Sequence, residues 1–111
     1  MEQILSSLSI ATPREGFINI TSEINHWIVT NKINKGILVL FVQHTSCSLT
    51  INENADPRVL EDLSTFMKAL VPEEGINPMP GRKGHIPYKH SEEGADDMPA
   101  HIKTSLTCSS L

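Results

Sequence analysis

An unbroken apolar run, Ile37–Val42, is followed almost directly by a segment, His44–Asn52, in which apolar and polar residues alternate. A short continuous apolar run is typical of a strand that is covered on both faces. Alternation is typical of a strand with one covered face, since successive side chains point to opposite sides. The apolar face of the second segment carries Cys47, Leu49 and Ile51. We therefore expect strands, and with them a sheet, in the middle of the chain.

The opposite face of the alternating segment is polar from end to end. Its members are His44, Ser46, Ser48, Thr50 and Asn52. Small hydroxyl residues are ordinary on a half-exposed strand, so this face is either plain surface or a row that meets a ligand. The histidine at its head and the run Asn52-Glu53-Asn54 at its foot favour a ligand-facing row.

A helix is predicted after this segment. Asp56 followed by Pro57 is a strong helix start, because aspartate can accept from the first free amides and proline suits the first position. Apolar residues then recur at helical spacing as far as Leu70, and Pro72 ends the helix. Residues 72–95, rich in proline and glycine, predict a long loop, which in a compact domain is usually functional or disordered.

The residues before the apolar run predict two short strands and another helix. The strands are 3–10 and 16–20, with a Pro/Gly turn between them. The helix begins at Thr21 or Ser22, which are both suitable N-cap residues, and it is closed by residues 34–36.

The segment His90–His101 holds the strongest chemical signal in the chain. Its two imidazoles bracket the adjacent carboxylates of Asp96 and Asp97. Asp97 can cap a helix that opens at Met98, and His101 then lies four residues further on, on the same side. Such a group can bind a metal ion or move protons. An acidic cap followed by a helical histidine is also a common structural feature, so both interpretations stay open.

Composition and charge exclude several classes of function. The net charge is −4 and no stripe of Lys and Arg is present, so we expect no nucleic-acid partner. No apolar run is long enough to cross a bilayer and the first residues lack a basic signal start, so we expect no membrane partner. Cys47 and Cys108 make no disulfide framework, which favours a reducing, cytoplasmic location. A chain of 111 residues is expected to form a single domain, 1–111.

Two blocks of sequence resemble the signatures of a known family. Residues 43–54, Q-H-T-S-C-S-L-T-I-N-E-N, with Asp56-Pro57 after them, resemble the first signature of the YjbQ-like family. Residues 90–105, H-S-E-E-G-A-D-D-M-P-A-H-I-K-T-S, resemble the second. The resemblance spans essentially the whole chain. Members of this family are described as secondary thiamine-phosphate synthases.

The resemblance implies a fold, an assembly and an activity. The expected fold is α+β, with a mainly antiparallel sheet packed with two to three helices, and the expected assembly is a homotrimer. A metal-associated pocket is expected, with zinc as the cofactor, magnesium as the alternative and a small phosphorylated molecule as the substrate. The activity would join a pyrimidine diphosphate to a thiazole phosphate and so form thiamine phosphate. Family members continue past the equivalent of Leu111 with further strands, so we expect a C-terminally truncated fold with an incomplete sheet.

The site residues that the resemblance implies fall in both blocks. The expected metal ligands are His44, His90 and His101. The expected catalytic residues are Asp96, Asp97 and Glu53. The residues expected to bind substrate or cofactor are Ser46, Ser48, Thr50 and Asn52. Three imidazoles suit a zinc site with one open position, and Asp96 or Asp97 would orient His101 through its second ring nitrogen. His26 and His85 fall outside both signatures and are expected to be surface or packing residues.

Two other functions fit the same residues. The pocket could bind a metal or a small anion without turnover. The chain could also be a non-catalytic subunit that folds only with complete relatives. Thiamine phosphate formation with and without added metal separates the enzyme from the binding protein, and the mass of the purified chain in solution tests the third function.

Overall fold

The computed structural model describes residues 1–53 and 55–111. Asn54, the last residue of the first signature, lies outside the described residues. The chain divides into two compact units, residues 1–36 and residues 37–111, and the single domain 1–111 stays a prediction. The first unit contains α1 (Thr21–Thr30), and the second contains α2 (Pro57–Leu70) and α3 (Asp97–Ser105). Within the described part of the chain, no helix has the length and apolar character needed to span a membrane.

The side chain that caps helix α1 belongs to Asn19, which precedes the residues that the sequence predicts as caps. The backbone N–H of Thr21 donates to Oδ1 of Asn19 at 3.0 Å. Ile20 occupies the N-cap position and has no side chain that can accept a hydrogen bond. Thr21 and Ser22 therefore lie inside the helix, and the predicted cap at either residue is wrong.

The end of helix α1 is closed by two hydrogen bonds around a left-handed residue. Lys32 has a φ of 54°. Its N–H donates to the carbonyl of Val29 at 3.0 Å, and the N–H of Ile33 donates to the carbonyl of Ile28 at 3.1 Å. This is a Schellman closure, in which glycine is the usual left-handed residue. Helix α1 consequently ends before the closing residues that the sequence predicts.

Helix α2 confirms the start that the Asp-Pro pair predicts. Oδ1 of Asp56 accepts the N–H of Arg58 at 3.0 Å, and Pro57 takes the first helical position. Nη2 of Arg58 also donates to Oδ2 of Asp56 at 2.9 Å. At the other end, the amide of Asn77 donates to the carbonyl of Leu70 at 3.3 Å, which satisfies an acceptor that the helix end leaves free.

The apolar stripe of α2 is only half-buried. Phe66 exposes 61% of its surface, and no residue of α2 is fully buried. The buried side chains lie elsewhere in this unit: Val71, just after α2, is 5% exposed, and Pro99 in α3 is below 2%. An apolar stripe usually packs against a core, and in α2 this packing is only partial.

No continuous strand is formed by residues 1–53 and 55–111, so the predicted antiparallel sheet is not confirmed. Isolated antiparallel bridges are present instead, between Phe41 and Ser110, Leu49 and Cys108, and Ile76 and Ile86. A strand requires a neighbour that pairs along its length, and each of the predicted strands is bridged at one position at most. Residues 3–10 and 16–20 have no bridge among the described residues. Much of the apolar run stays exposed as a result, with Ile37 at 96% and Val39 at 72%, while Leu40 and Val42 are half-buried.

The proline- and glycine-rich loop is irregular, as predicted, and it is closed by hydrogen bonds. Ile76 and Ile86 exchange both backbone hydrogen bonds, at 2.8 and 2.9 Å. Gly75 permits this approach, because a Cβ there would overlap the carbonyl oxygen of Ile86. The hydroxyl of Tyr88 donates to the carbonyl of Pro72 at 2.8 Å. The end of the loop is thereby held against its beginning.

Helix α3 begins one residue earlier than predicted, which changes the role of Asp97. The helix starts at Asp97, and Asp96 occupies the N-cap without a hydrogen bond from its side chain. The predicted capping role of Asp97 is therefore wrong. Its carboxylate hydrogen-bonds the imidazole of His90 instead. Pro99 lies in the first turn, where its missing N–H would have no helical partner.

Candidate metal centre and the adjoining hollow

Two imidazoles and one carboxylate converge at the start of helix α3. Nε2 of His90 lies 2.7 Å from Oδ2 of Asp97, and Nε2 of His101 lies 3.3 Å from the same oxygen. The two rings meet edge to face, with their centroids 5.6 Å apart. Each residue thus offers one possible ligand atom, and these atoms lie within 4.8 Å of one another. We call these three residues the His–Asp–His group.

The imidazoles stabilise the charged form of the carboxylate between them. The hydrogen bond from His90 holds the pKa of Asp97 below its ordinary value, burial acts in the opposite direction, and the charge of His101 lowers the pKa further. Because an ionised carboxylate can only accept, Nε2 of His90 is the donor in this bond. The side chains of His90 and Asp97 are 47% and 22% exposed. The group is therefore reachable from solvent.

The local backbone explains why these three residues meet. Asp97 and His101 are four residues apart in helix α3, and this spacing puts them on one face. His90 reaches them from the preceding segment because the chain turns at Gly94, which has a φ of 117°. Another residue there would be strained, and its Cβ would lie 3.0 Å from Oδ1 of Asp96. The glycine between the two histidines is therefore a requirement of the arrangement.

The C-terminal end of helix α3 is tied to the first signature. Oγ1 of Thr104 donates to the carbonyl of Thr45 at 2.8 Å, across 59 residues of sequence. Oγ1 of Thr107 donates to Oγ of Ser48 at 2.7 Å. The backbone bridge at Leu49 adds to these contacts. The two signature blocks are therefore adjacent in space, which the sequence alone does not establish.

A hollow of about 550 Å³ lies beside the His–Asp–His group and shares His101 with it. Its walls are formed by Phe41, Val42, Gln43, His44, Thr45, Cys47, His101, Thr104, Ser105 and Ser109. Two imidazoles, one from each signature, thus line one space. None of these described wall residues is Lys, Arg, Asp or Glu. The hollow therefore offers hydrogen-bonding and apolar groups but no permanently charged side chain.

His44 lines the hollow but lies outside the group of possible ligand atoms. Its Nδ1 accepts the backbone N–H of Ser46 at 3.1 Å, and Oγ of Ser46 lies 2.8 Å from the same nitrogen. Since a backbone N–H can only donate, Nδ1 carries no proton and the ring proton is on Nε2. In this form the second nitrogen of His44 is a hydrogen-bond donor. The role of His44 as a metal ligand stays a prediction.

The other residues that the resemblance assigns to the site lie outside both the His–Asp–His group and the walls of the hollow. Asp96 is the N-cap of α3, and Oδ1 of Asn52 accepts the N–H of Glu53 at 2.7 Å. Ser46 and Ser48 hydrogen-bond His44 and Thr107, respectively, as described above. Catalytic roles for Asp96 and Glu53, and binding roles for Ser46, Ser48, Thr50 and Asn52, stay predictions.

Glu93 lies beside His90, and it is absent from the site residues that the sequence predicts. Its Oε2 lies 3.9 Å from Nε2 of His90. The side chain of Glu93 also contributes to the lowered pKa of Asp97, after the larger effects of His90, burial and His101. The sequence signal that could have revealed it is the His-x-x-Glu spacing of His90 and Glu93.

The signatures and the fold define the class to which the chain belongs. It matches the family described as UPF0047 protein YjbQ-like over residues 6–111, and it is a member of that family. The resemblance of the two signature blocks is thereby confirmed.

Individual relatives agree with this assignment. The chain is 45% identical over 100 residues to the UPF0047 protein sll1880 of Synechocystis, with coverage of 90% of this chain and 61% of the relative. It is 42% identical over 106 residues to the UPF0047 protein YjbQ of Escherichia coli O157:H7, with coverage of 95% and 69%. The chain thus spans about two thirds of the length of these relatives.

A solved structure supports the architecture. The chain is similar to the conserved hypothetical protein TT1486 from Thermus thermophilus, with a TM-score of 0.71 and 36% sequence identity. The similarity covers 94% of this chain and 70% of the other.

Proposed function

We propose that the His–Asp–His group binds a divalent cation, with zinc as the first candidate and magnesium as the alternative. The observation that carries the proposal is the presence of three possible ligand atoms within 4.8 Å of one another. Zinc binds histidine nitrogen and carboxylate oxygen at about 2.0–2.2 Å, which places neighbouring ligand atoms of a tetrahedron roughly 3.3 Å apart. The separations of 2.7 and 3.3 Å approach this value, so a small rotation of the side chains would admit the ion.

In this proposal each of the three residues gives one ligand atom. His90 and His101 would bind through Nε2 after loss of its proton, because a metal requires the nitrogen lone pair. Asp97, which the resemblance assigns to catalysis, would bind through Oδ2. Three protein ligands leave one tetrahedral position for water or substrate. His44 would face the substrate as a hydrogen-bond donor through Nε2.

The hollow supports a small phosphorylated molecule as the substrate class. Its volume of about 550 Å³ falls within the range of small-molecule sites, about 300–1,000 Å³. Because none of the described wall residues is Lys or Arg, the cation would be the group that neutralises a phosphate. The side chains of Gln43 and Thr45 would hydrogen-bond the uncharged part of the molecule.

The reaction that we propose is the thiamine phosphate synthase-type transfer that the family resemblance implies. A diphosphate leaves as an anion in that transfer, and a bound divalent cation stabilises the charge that develops on it. The Nε2 proton of His44 would hydrogen-bond the departing oxygens. Asp96 and Glu53 remain the candidates for proton transfer, as the resemblance implies.

The proposal also includes an α+β fold with a mainly antiparallel sheet, a homotrimer and a cytoplasmic location. Family membership and the three helices support the fold. Binding of a metal or anion without turnover is the alternative function, and a non-catalytic subunit is the other. Tight metal uptake without thiamine phosphate formation would favour binding alone.

Zinc titration of the 111-residue chain and of two variants tests the metal site. We expect wild type to bind one equivalent of Zn²⁺ and His101→Ala to bind it at least about tenfold more weakly, the minimum effect of disturbing a metal's ligand shell. His85→Ala is the matched control, because His85 is exposed and outside both signatures. Circular dichroism checks that both variants fold. Unchanged zinc affinity in His101→Ala would mean that the group is only an ion-pair network.

A further inference from the structure

We propose that Glu93 is a fourth protein ligand of the same cation, so that the site is built from two imidazoles and two carboxylates. This inference rests on the proposed metal site. It assigns a binding role to a residue that lies outside both the site residues implied by the signatures and the His–Asp–His group.

The first argument is the short distance that the Glu93 carboxylate would have to move. Its Oε2 lies 3.9 Å from Nε2 of His90. Adjacent ligand atoms around zinc are roughly 3.3 Å apart, given bonds of about 2.0–2.2 Å. A shift of roughly half an ångström would therefore bring this oxygen to ligand spacing from Nε2 of His90. A further rotation of the side chain would have to bring it to the rest of the group, since Glu93 lies outside the set of atoms that are within 4.8 Å of one another.

The second argument is that Glu93 lies beside two members of the group, His90 and Asp97. It approaches His90 through Oε2 at 3.9 Å, and its side chain also contributes to the lowered pKa of Asp97. Two neighbouring carboxylates cannot hydrogen-bond each other while both are ionised, so a proton or a cation is needed between them. A divalent cation would supply that positive charge and would accept the free electron pairs of the carboxylate oxygens and imidazole nitrogens.

The third argument is the freedom of the Glu93 side chain and the constraint on its backbone. The side chain is 69% exposed, so it can rotate without disturbing buried packing. The next residue, Gly94, has a φ of 117°, and this turn returns the chain to Asp96 and Asp97. Glu93 is thereby brought back toward Asp97, four residues away in sequence.

A simple surface ion pair is the rival explanation. An exposed pair of Glu93 and His90 at 3.9 Å would contribute little to stability, and it would not respond to metal. A ligand role predicts a different chemistry. With a second carboxylate among the ligands, the site would hold its cation more tightly, and a water or substrate would enter as a further ligand.

Cobalt and zinc binding to the full chain separates the two explanations. We expect Glu93→Gln to weaken Zn²⁺ binding at least about tenfold in a chelator competition. We also expect it to change the visible absorption of bound Co²⁺, because one oxygen ligand is lost. The matched control is Glu92→Gln, which removes the same charge from the neighbouring residue and should leave affinity and spectrum unchanged.

Each outcome has one meaning. Weaker binding and an altered cobalt spectrum in Glu93→Gln alone support the inference. A Glu93→Gln variant that keeps wild-type affinity and spectrum overturns it, and so does an equal loss in Glu92→Gln, which would reflect charge alone. If His101→Ala weakens binding in the same assay, the proposed metal site survives either of these results. If wild type binds neither Zn²⁺ nor Co²⁺, the proposed metal site fails and this inference fails with it.

Discussion

Replacement of Gly75 by alanine is predicted to open the bridge that closes the loop before His90. Gly75 has a φ of 130°, and a Cβ there would overlap the carbonyl oxygen of Ile86 and lie 2.8 Å from its carbonyl carbon. Both of these atoms belong to the backbone, so no rotation of a side chain relieves the overlap. The variant must therefore either keep a strained bridge or lose the two hydrogen bonds between Ile76 and Ile86, at 2.8 and 2.9 Å.

The size of the expected effect is set by whichever of these two responses costs less free energy. A backbone hydrogen bond contributes about 0.5–1.5 kcal/mol net, so loss of both bonds costs about 1–3 kcal/mol. Alanine at positive φ, with the overlap in addition, costs more than the roughly 1–3 kcal/mol of backbone strain alone. The bridge should therefore open. At about 1.4 kcal/mol per factor of ten, exchange of the Ile76 and Ile86 amides should become roughly 5- to 150-fold faster.

Amide hydrogen exchange measured by NMR checks this result residue by residue. Gly84→Ala is the matched control, since Gly84 has a φ of 78° but no heavy atom within 4 Å of the added Cβ. It would carry the strain without the overlap, and Ile76 and Ile86 should keep their protection. Unchanged exchange in Gly75→Ala would refute the reasoning. Equal acceleration in both variants would show that backbone strain, and not the close approach, governs the bridge.

Two further predictions concern ionisable groups. Hydrogen bonds from Arg58 hold the pKa of Asp56 below its ordinary value. Their contribution to stability is therefore fully present above about pH 4, the pKa of an unfolded aspartate. It is lost as the pH falls through the lower pKa of the folded state. Urea unfolding should be measured between pH 5 and pH 2, values chosen about that pKa. Asp56→Asn should lose less unfolding free energy over this range than the wild type does, and equal losses would contradict the assignment. Burial, with the negative charge of Glu74 acting in the same direction, raises the pKa of Tyr88. Tyr88 is the sole tyrosine, so absorbance titration reports its pKa directly. The titration midpoint of the folded chain should lie above that of the urea-unfolded chain, and Glu74→Gln should lower it. Equal midpoints in the folded and unfolded chains would refute the shift.

The start of helix α2 could be predicted because its causes are local. Asp56, Pro57 and Arg58 are consecutive, and the capping hydrogen bond joins residues two apart. The start of helix α3 was harder to place, although its sequence is similar. The carboxylate of Asp97 has a competing partner in His90, seven residues away, and bonds it in preference to the helix amides. Local capping rules do not include such a partner.

The predicted strands are not confirmed, for a different reason. Alternation shows which side chains of a segment share a face, but it does not show which segment pairs with it. Leu49 is bridged to Cys108 and Phe41 to Ser110, at sequence separations that no local pattern reports. The described residues provide these single bridges and no longer ladder. The apolar pattern of residues 37–42 therefore predicts a covered strand, whereas the structure shows a segment that is mostly exposed.

His90, Asp97 and His101 could be predicted as site residues, but their grouping without His44 could not. The spacing of Asp97 and His101 is a helical repeat, and the sequence states it directly. The approach of His90 depends on the turn at Gly94, which the sequence marks only by the presence of a glycine. The position of Glu93 follows from the same turn. Convergence with the first signature could not be derived, because hydroxyl contacts across 59 residues produce it.

These contacts suggest different roles for the two signatures. In the second signature, His90, Asp97 and His101 direct their polar atoms toward one another, with one possible ligand atom each within 4.8 Å. In the first, Ser48 is hydrogen-bonded to Thr107, and Ser46 holds the ring of His44. Part of the polar row is therefore engaged in orienting its neighbours. It follows that the first signature positions helix α3 and one imidazole beside the hollow, while the second supplies the proposed metal ligands.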